Sequence, residues 1–151
     1  MTFDKFTIKA QEAIQEAVNL VQARGQQAIE PEHLLAGILK VGENVTNFLF
    51  QKLGVNSRQI EQVLESQIAS LPKVQGGEPY LSRESNEVLT RAQDYASKGG
   101  DEFVSLEPML LALLTVKSTA SRILKDAGIT ETELASAVNE LRKGEKVTSQ
   151  N

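Results

Sequence analysis

Apolar positions along this chain recur with helical spacing. Ala10, Ala13, Ile14, Ala17 and Val21 recur at helical spacing, as do Val88, Leu89, Ala92, Tyr95 and Ala96, and each set outlines the buried stripe of an amphipathic helix. The runs "LLAGIL" (34–39) and "MLLALL" (109–114) are apolar on nearly every side, so the helices that carry them have to be surrounded by others. Pro31 opens the first of these, at a position whose backbone N–H would lack a helical partner anyway. Gly54 and Gly128 each follow a helical run and precede an apolar residue, the signature of a left-handed helix stop. Asn56 with Gln59, and Thr130 with Glu133, have capping-box spacing and open the helices that follow. No segment alternates with period two for long enough to predict a strand. The pattern predicts an all-α protein of eight helices.

The pattern is also written twice. Glu32 matches Glu107, Leu35 matches Leu110, Leu39 matches Leu114 and Val41 matches Val116, all at a spacing of 75 residues. Phe6-Thr7 answers Leu81-Ser82, and Gly25 answers Gly100, in the same register. After the loss of one residue, "FLFQKLGV" (48–55) aligns with "RILKDAGI" (122–129) at a spacing of 74, which sets Gly54 opposite Gly128. The expected organisation is one domain over 1–143, built from two tandem four-helix repeats, about 6–70 and about 81–143. They should be related by pseudo-twofold symmetry and packed around helices at 31–41 and 105–115. Between them "LPKVQGGEPY" (71–80) reads as a loop from its prolines and glycines. The closing "RKGEKVTSQN" is polar and without periodicity, which fits a frayed terminus or the start of a linker.

Composition narrows the function. A chain of 151 residues fits one domain with a core of its own. Without cysteine it has neither disulfides nor thiolate metal sites, which agrees with a reducing cytoplasm. Net charge is −4 with both signs interspersed, so the basic footprint that a phosphate backbone needs is missing and no nucleic acid is expected. Apolar runs are short, and "MTFDKF" has neither a basic nor an apolar leader region, so no membrane partner is expected either. Chemistry is sparse. His33 is the only histidine, it has Pro108 as its counterpart in the second repeat, and it reads as a surface or half-buried helix residue. No phosphate-cradling G-x-x-x-x-G-K-[ST] occurs, and no cofactor is expected. A helical bundle of this kind reads as a binding module rather than an enzyme.

The stretches "FTIKAQEAI", "IEPEHLLAGIL", "LPKVQGG" and "GDEFVSLEPMLLALL", set in a duplicated four-helix unit, resemble the amino-terminal (Clp repeat) domain of the Clp chaperones. "LPKVQGG" and "LRKGEKV" resemble its disaggregase branch most. The resemblance covers essentially the whole chain. It implies a non-catalytic substrate-capture domain of an ATP-dependent protein disaggregase, which binds exposed apolar segments of unfolded or aggregated proteins. The parent chain would be a cytoplasmic homohexamer that cooperates with a DnaK-type chaperone, the isolated domain would be a monomer, and residues 144–151 would begin a flexible linker to an AAA+ module absent from this chain. The alternative within the family is an adaptor-docking domain of a protease-coupled Clp ATPase.

The resemblance also implies a substrate-binding surface. Its polar triad falls on Thr7, Asp101 and Glu107, and its apolar groove on Arg91, Tyr95 and Pro108, with Arg91 departing from the apolar pattern. Taken alone, Thr7 is equally a helix N-cap, Glu107 a carboxylate favoured by a helix dipole, and Tyr95 a member of the Leu89–Ala92 core stripe.

Overall fold

The computed structural model describes residues 2–151. Eight helices follow one another among them: α1 (Ile8–Ala23), α2 (Pro31–Val41), α3 (Glu43–Leu53), α4 (Ser57–Ala69), α5 (Arg83–Lys98), α6 (Leu106–Thr115), α7 (Thr119–Asp126) and α8 (Glu131–Arg142). The helices α1–α4 and α5–α8 form two similar four-helix units. Their boundaries are chemical and repeat between the units. Thr7 Oγ1 accepts the Ala10 N–H at 3.1 Å, and Ser82 Oγ accepts the Ser85 N–H at 3.1 Å, so α1 and α5 are capped alike. Asn56 and Thr130 cap α4 and α8 by accepting the Gln59 and Glu133 N–H groups. Gly54 (φ 67°) and Gly128 (φ 97°) are left-handed, and the Val55 and Ile129 N–H groups reach back to Phe50 O and Leu124 O.

The core lies around α2 and α6. In α6 every residue from Leu106 to Leu114 except Leu111 is buried, and α2 touches α1, α3, α4, α5, α6 and α7. A helix without a polar face is stable in water only inside such a shell. The units are also wound together, since α3 packs on α8 and, as the symmetric counterpart, α4 packs on α7. Among the described residues no helix is long and apolar enough to cross a membrane.

One feature departs from the helical pattern. Ala28–Ile29 (β1) pairs in parallel with Tyr80–Leu81 (β2), and Phe6 forms an isolated parallel bridge with Val104. Tyr80 therefore belongs to a strand and not to the inter-repeat loop. Strands of two residues have no period to read. Their placement is symmetric: the segment entering the first helix of each repeat pairs with the segment entering the second helix of the other. The Thr7 N–H donates to Val104 O at 2.9 Å, and the Ser82 N–H donates to Ile29 O at 3.1 Å.

α1 and α2 cross closely at Gly37. A Cβ at Gly37 would lie 2.2 Å from the carbonyl oxygen of Ala13, a contact that only glycine avoids. Gly37→Ala should therefore introduce roughly 1–3 kcal/mol of overpacking, against which the better helix propensity of alanine returns at most about 1 kcal/mol. Urea unfolding should show a lower midpoint with an unchanged slope and a wild-type helical circular-dichroism signal. A midpoint equal to or above wild type would mean that the crossing is not tight.

Candidate functional site

Arg142 is the last residue of α8, and the polar residues of the second repeat gather around it. Its Nη1 donates to Asp101 Oδ2 at 2.7 Å, its Nε to Glu107 Oε1 at 2.9 Å, and its Nη2 to Ser105 Oγ at 2.6 Å. Ser105 Oγ in turn donates to Glu107 Oε1 at 3.2 Å. Left-handed Gly100 (φ +84°) ends α5 and lets the chain turn, so that the Asp101 side chain is only 1% exposed. Burial alone would lower the pKa of the guanidinium. Hydrogen bonds and charge from Asp101 and Glu107 outweigh that and raise it, so Arg142 is held firmly as a cation.

Thr7 joins this cluster through the backbone, since its N–H is bonded to Val104, next to Ser105. Its hydroxyl is committed to capping α1, and the residue is 7% exposed. Thr7, Asp101 and Glu107 thus converge on one end of the molecule, as residues distant in sequence. Tyr95 does not join them. It is half-buried, and its hydroxyl donates to Thr115 Oγ1 at 3.0 Å, at the last residue of α6. Glu107 lies in the first turn of that helix, roughly 12 Å away along its axis at 1.5 Å per residue. Arg91 is exposed on α5, whereas Pro108 is buried in the first turn of α6. Pro108 thus belongs to the core, because α6 has no solvent-facing side at that level.

Sequence reasoning missed Arg142 and Ser105. The signal for Arg142 was present: at the spacing of 74 it falls on Ile68, the third member of a buried stripe after Ile60 and Leu64, and a cation in that register needs a buried partner.

The first repeat solves the same position without charge. Ile68 is apolar there, Gln26 stands in place of Asp101, and Gln26 Nε2 donates to Ile68 O at 2.7 Å. His33 completes this neutral network. Its Nδ1 accepts the Glu30 N–H at 2.9 Å, so the proton sits on Nε2, which meets Gln26 Oε1 at 2.8 Å. His33 is fully buried, contrary to the surface or half-buried place its sequence context predicted, because its ring serves as the cap of α2. Burial, with a smaller contribution from the Arg24 charge, lowers its pKa from 6.5 to about 4. Tyr95 marks a second asymmetry. Its counterpart Leu20 is too short to reach across, and a cleft of about 510 Å³ stays open there, lined by Leu20, Ala23, Ala36, Gly37, Lys40 and Glu65 among others. Among the described residues no group of three metal-ligating side chains is placed to hold a metal ion.

A duplicated four-helix bundle, with Arg142 paired to Asp101 and Glu107 at one end, defines a class of helical accessory domain. The model of the Clp repeat (R) N-terminal domain matches residues 5–127, and the chain belongs to that family as an accessory module. Over 150 residues, 99% of this chain, it is 73% identical to the chaperone protein ClpB of Bacteroides thetaiotaomicron, and it is 53% identical over the same length to that of Porphyromonas gingivalis. It is thus closely related to ClpB amino-terminal domains, and it spans 17% of the length of each of these two relatives. The crystal structure of the Hsp104 N-terminal domain from Candida albicans has the same fold, with a TM-score of 0.87 over 98% of both chains at 23% identity.

Two outcomes test the contrast between the repeats. Arg142→Ile leaves two buried carboxylates unpaired and should cost about 3–5 kcal/mol in urea unfolding. Adding Asp101→Gln, the residue of the first repeat, and Glu107→Gln, which removes the second charge, should return most of it; no return would mean that the arginine acts through packing alone. The second outcome concerns acid. The unfolded chain takes up a proton at His33 near pH 6.5, whereas the folded chain does so only near 4. Stability from this residue is therefore complete above pH 6.5 and falls on acidification, by about 2 kcal/mol at pH 5. Burial raises the pKa of Glu32, which acts in the opposite sense at lower pH. His33→Gln should flatten the melting temperature between pH 6.5 and 5, and an unchanged slope would place the titration elsewhere.

Proposed function

We propose that this domain captures exposed segments of unfolded or aggregated proteins for an ATP-dependent disaggregase. The observation that carries this reading is the convergence of Thr7, Asp101 and Glu107 on one end of a chain so closely related to the chaperone ClpB. These residues and Tyr95 form the capture surface. A client segment of five extended residues covers about 16 Å, enough to run from the first turn of α6 to Tyr95. Ile8, 46% exposed at the start of α1, offers apolar surface beside the polar cluster. The isolated domain works as a cytoplasmic monomer. In the parent chain, a homohexamer acting with a DnaK-type chaperone, several copies share one client, and residues 144–151 lead towards the AAA+ ring.

A shallow surface buries little of a client, and the ordering costs of association take back much of the gain. Each contact is therefore weak, and affinity arises from the number of tethered copies. Titration of the ¹⁵N-labelled chain with reduced, carboxymethylated lactalbumin, a permanently unfolded protein, should give a Kd of about 0.1–1 mM. Shifts should gather around Thr7, Tyr95, Asp101 and Glu107. Tyr95→Ala should weaken binding about threefold, the loss of well under 1 kcal/mol expected of a half-buried ring, with helical content unchanged. Shifts confined to the Leu20–Ala36 cleft of the first repeat would overturn this assignment. Binding to one folded adaptor, with none to the unfolded protein, would favour the protease-coupled alternative.

A further inference from the structure

Residues 144–151, which follow α8, have no regular secondary structure, yet they are laid across the end of the molecule that carries the polar cluster. The Glu102 N–H donates to Val147 O at 2.7 Å, and the Val147 N–H donates to Asp101 Oδ1 at 3.0 Å. Farther on, beyond a bend at Ser149, the Ile8 N–H donates to Gln150 O at 2.8 Å. The side-chain amide of Gln150 donates to Asp4 O at 2.8 Å and to Phe6 O at 3.3 Å. The segment therefore bridges the loop after α5 and the entry to α1, the same two stretches that the Phe6–Val104 bridge joins.

The groups that hold it belong to the backbone or to Asp101. Ile8 supplies a first-turn N–H, which no helical carbonyl can satisfy and which the Thr7 hydroxyl, committed to Ala10, leaves open. Glu102 supplies an N–H from a loop. Asp101 spends one carboxylate oxygen on Arg142 and presents the other to a passing backbone N–H. Of residues 145–151 only Val147 and Gln150 are half-buried, and the rest are exposed. Recognition of this kind reads an extended main chain with one modest apolar side chain and is indifferent to most of the sequence, as strand addition at a sheet edge is.

We propose that this surface is a strand-accepting edge, that an unfolded polypeptide binds it through the same backbone hydrogen bonds, and that the chain's own residues 145–150 occupy it in the free domain and compete with the client. The proposal rests on the capture reading above and specifies its chemistry: the partner is an extended segment with a free N–H at the position of Val147, so proline is excluded there. It also gives Asp101 a role that its burial against Arg142 would otherwise obscure. An intramolecular occupant lowers the apparent affinity by the fraction of domains it leaves open, so a segment docked about nine-tenths of the time weakens client binding about tenfold.

The test uses the whole 151-residue chain. Val147→Pro removes the N–H that Asp101 holds, and Gln150→Ala removes the clamp on Asp4 and Phe6 independently of any strain from proline. Both should speed amide hydrogen exchange at Ile8 and Glu102 and tighten binding of reduced, carboxymethylated lactalbumin about five- to tenfold. Addition of the unfolded protein should protect the same two amides again in the variants. Faster exchange without a change in affinity would show that the client binds elsewhere, which overturns the competition while the capture reading stands. Unchanged exchange in both variants would overturn docking of the segment. Absence of binding by wild type and variants alike would refute the capture reading and this proposal with it.

Discussion

The burial of α2 and α6 is the constraint on which the rest of the molecule depends. Both helices are apolar over most of their surface, with only Lys40 of α2 exposed, and each is enclosed largely by other helices. The two helices touch each other at the centre, and each repeat supplies part of the other's cover, with α3 on α8 and α4 on α7. The crossed pairing of extended segments before α1 and α5 has the same origin. Once the repeats enclose each other's central helix, the chain entering one repeat runs beside the chain of the other, and its backbone groups find partners there. The two repeats therefore share one core rather than packing as separate parts.

Symmetry in the frame makes asymmetry at the surface informative. The position filled by Ile68 in one repeat is Arg142 in the other, and Gln26 is replaced by Asp101. Replacing a neutral hydrogen-bond network with buried ions rarely adds stability, because desolvation consumes much of the Coulombic gain. The charged version does something the neutral one does not: it leaves a carboxylate oxygen of Asp101 facing a passing main chain. The repeats thus differ at this position, with the neutral network of His33 in the first and the ionic cluster of Arg142 in the second.

The Ile8 and Glu102 N–H groups and the Asp101 carboxylate bond the main chain of residues 147–150, and none of them demands a particular side chain. Such groups do not remain unpaired for long in water or in protein. The residues after α8 satisfy them within the chain.

The amino-acid sequence alone determined the eight helices, the caps at Thr7, Asn56 and Thr130, the stops at Gly54 and Gly128, and the duplication. Each of these is local chemistry repeated at a fixed spacing, legible without knowing what packs on what. It also determined the family, through motifs spread over the whole chain. Tertiary structure decided the rest. Two-residue strands have no periodicity, so β1 and β2 appear only when the repeats meet. His33, at a helix start after two glutamates, read as a surface or half-buried residue and is buried, because its ring accepts the Glu30 N–H and meets Gln26 within the protein. Thr7, Asp101 and Glu107 are 94 and 6 residues apart in sequence, and only folding brings the two carboxylates onto Arg142, with Thr7 beside them through Val104; the place of Arg142 in an apolar stripe was visible but its partners were not. The docking of 145–150 left no trace in the sequence, since main-chain hydrogen bonds are indifferent to the side chains that a sequence records.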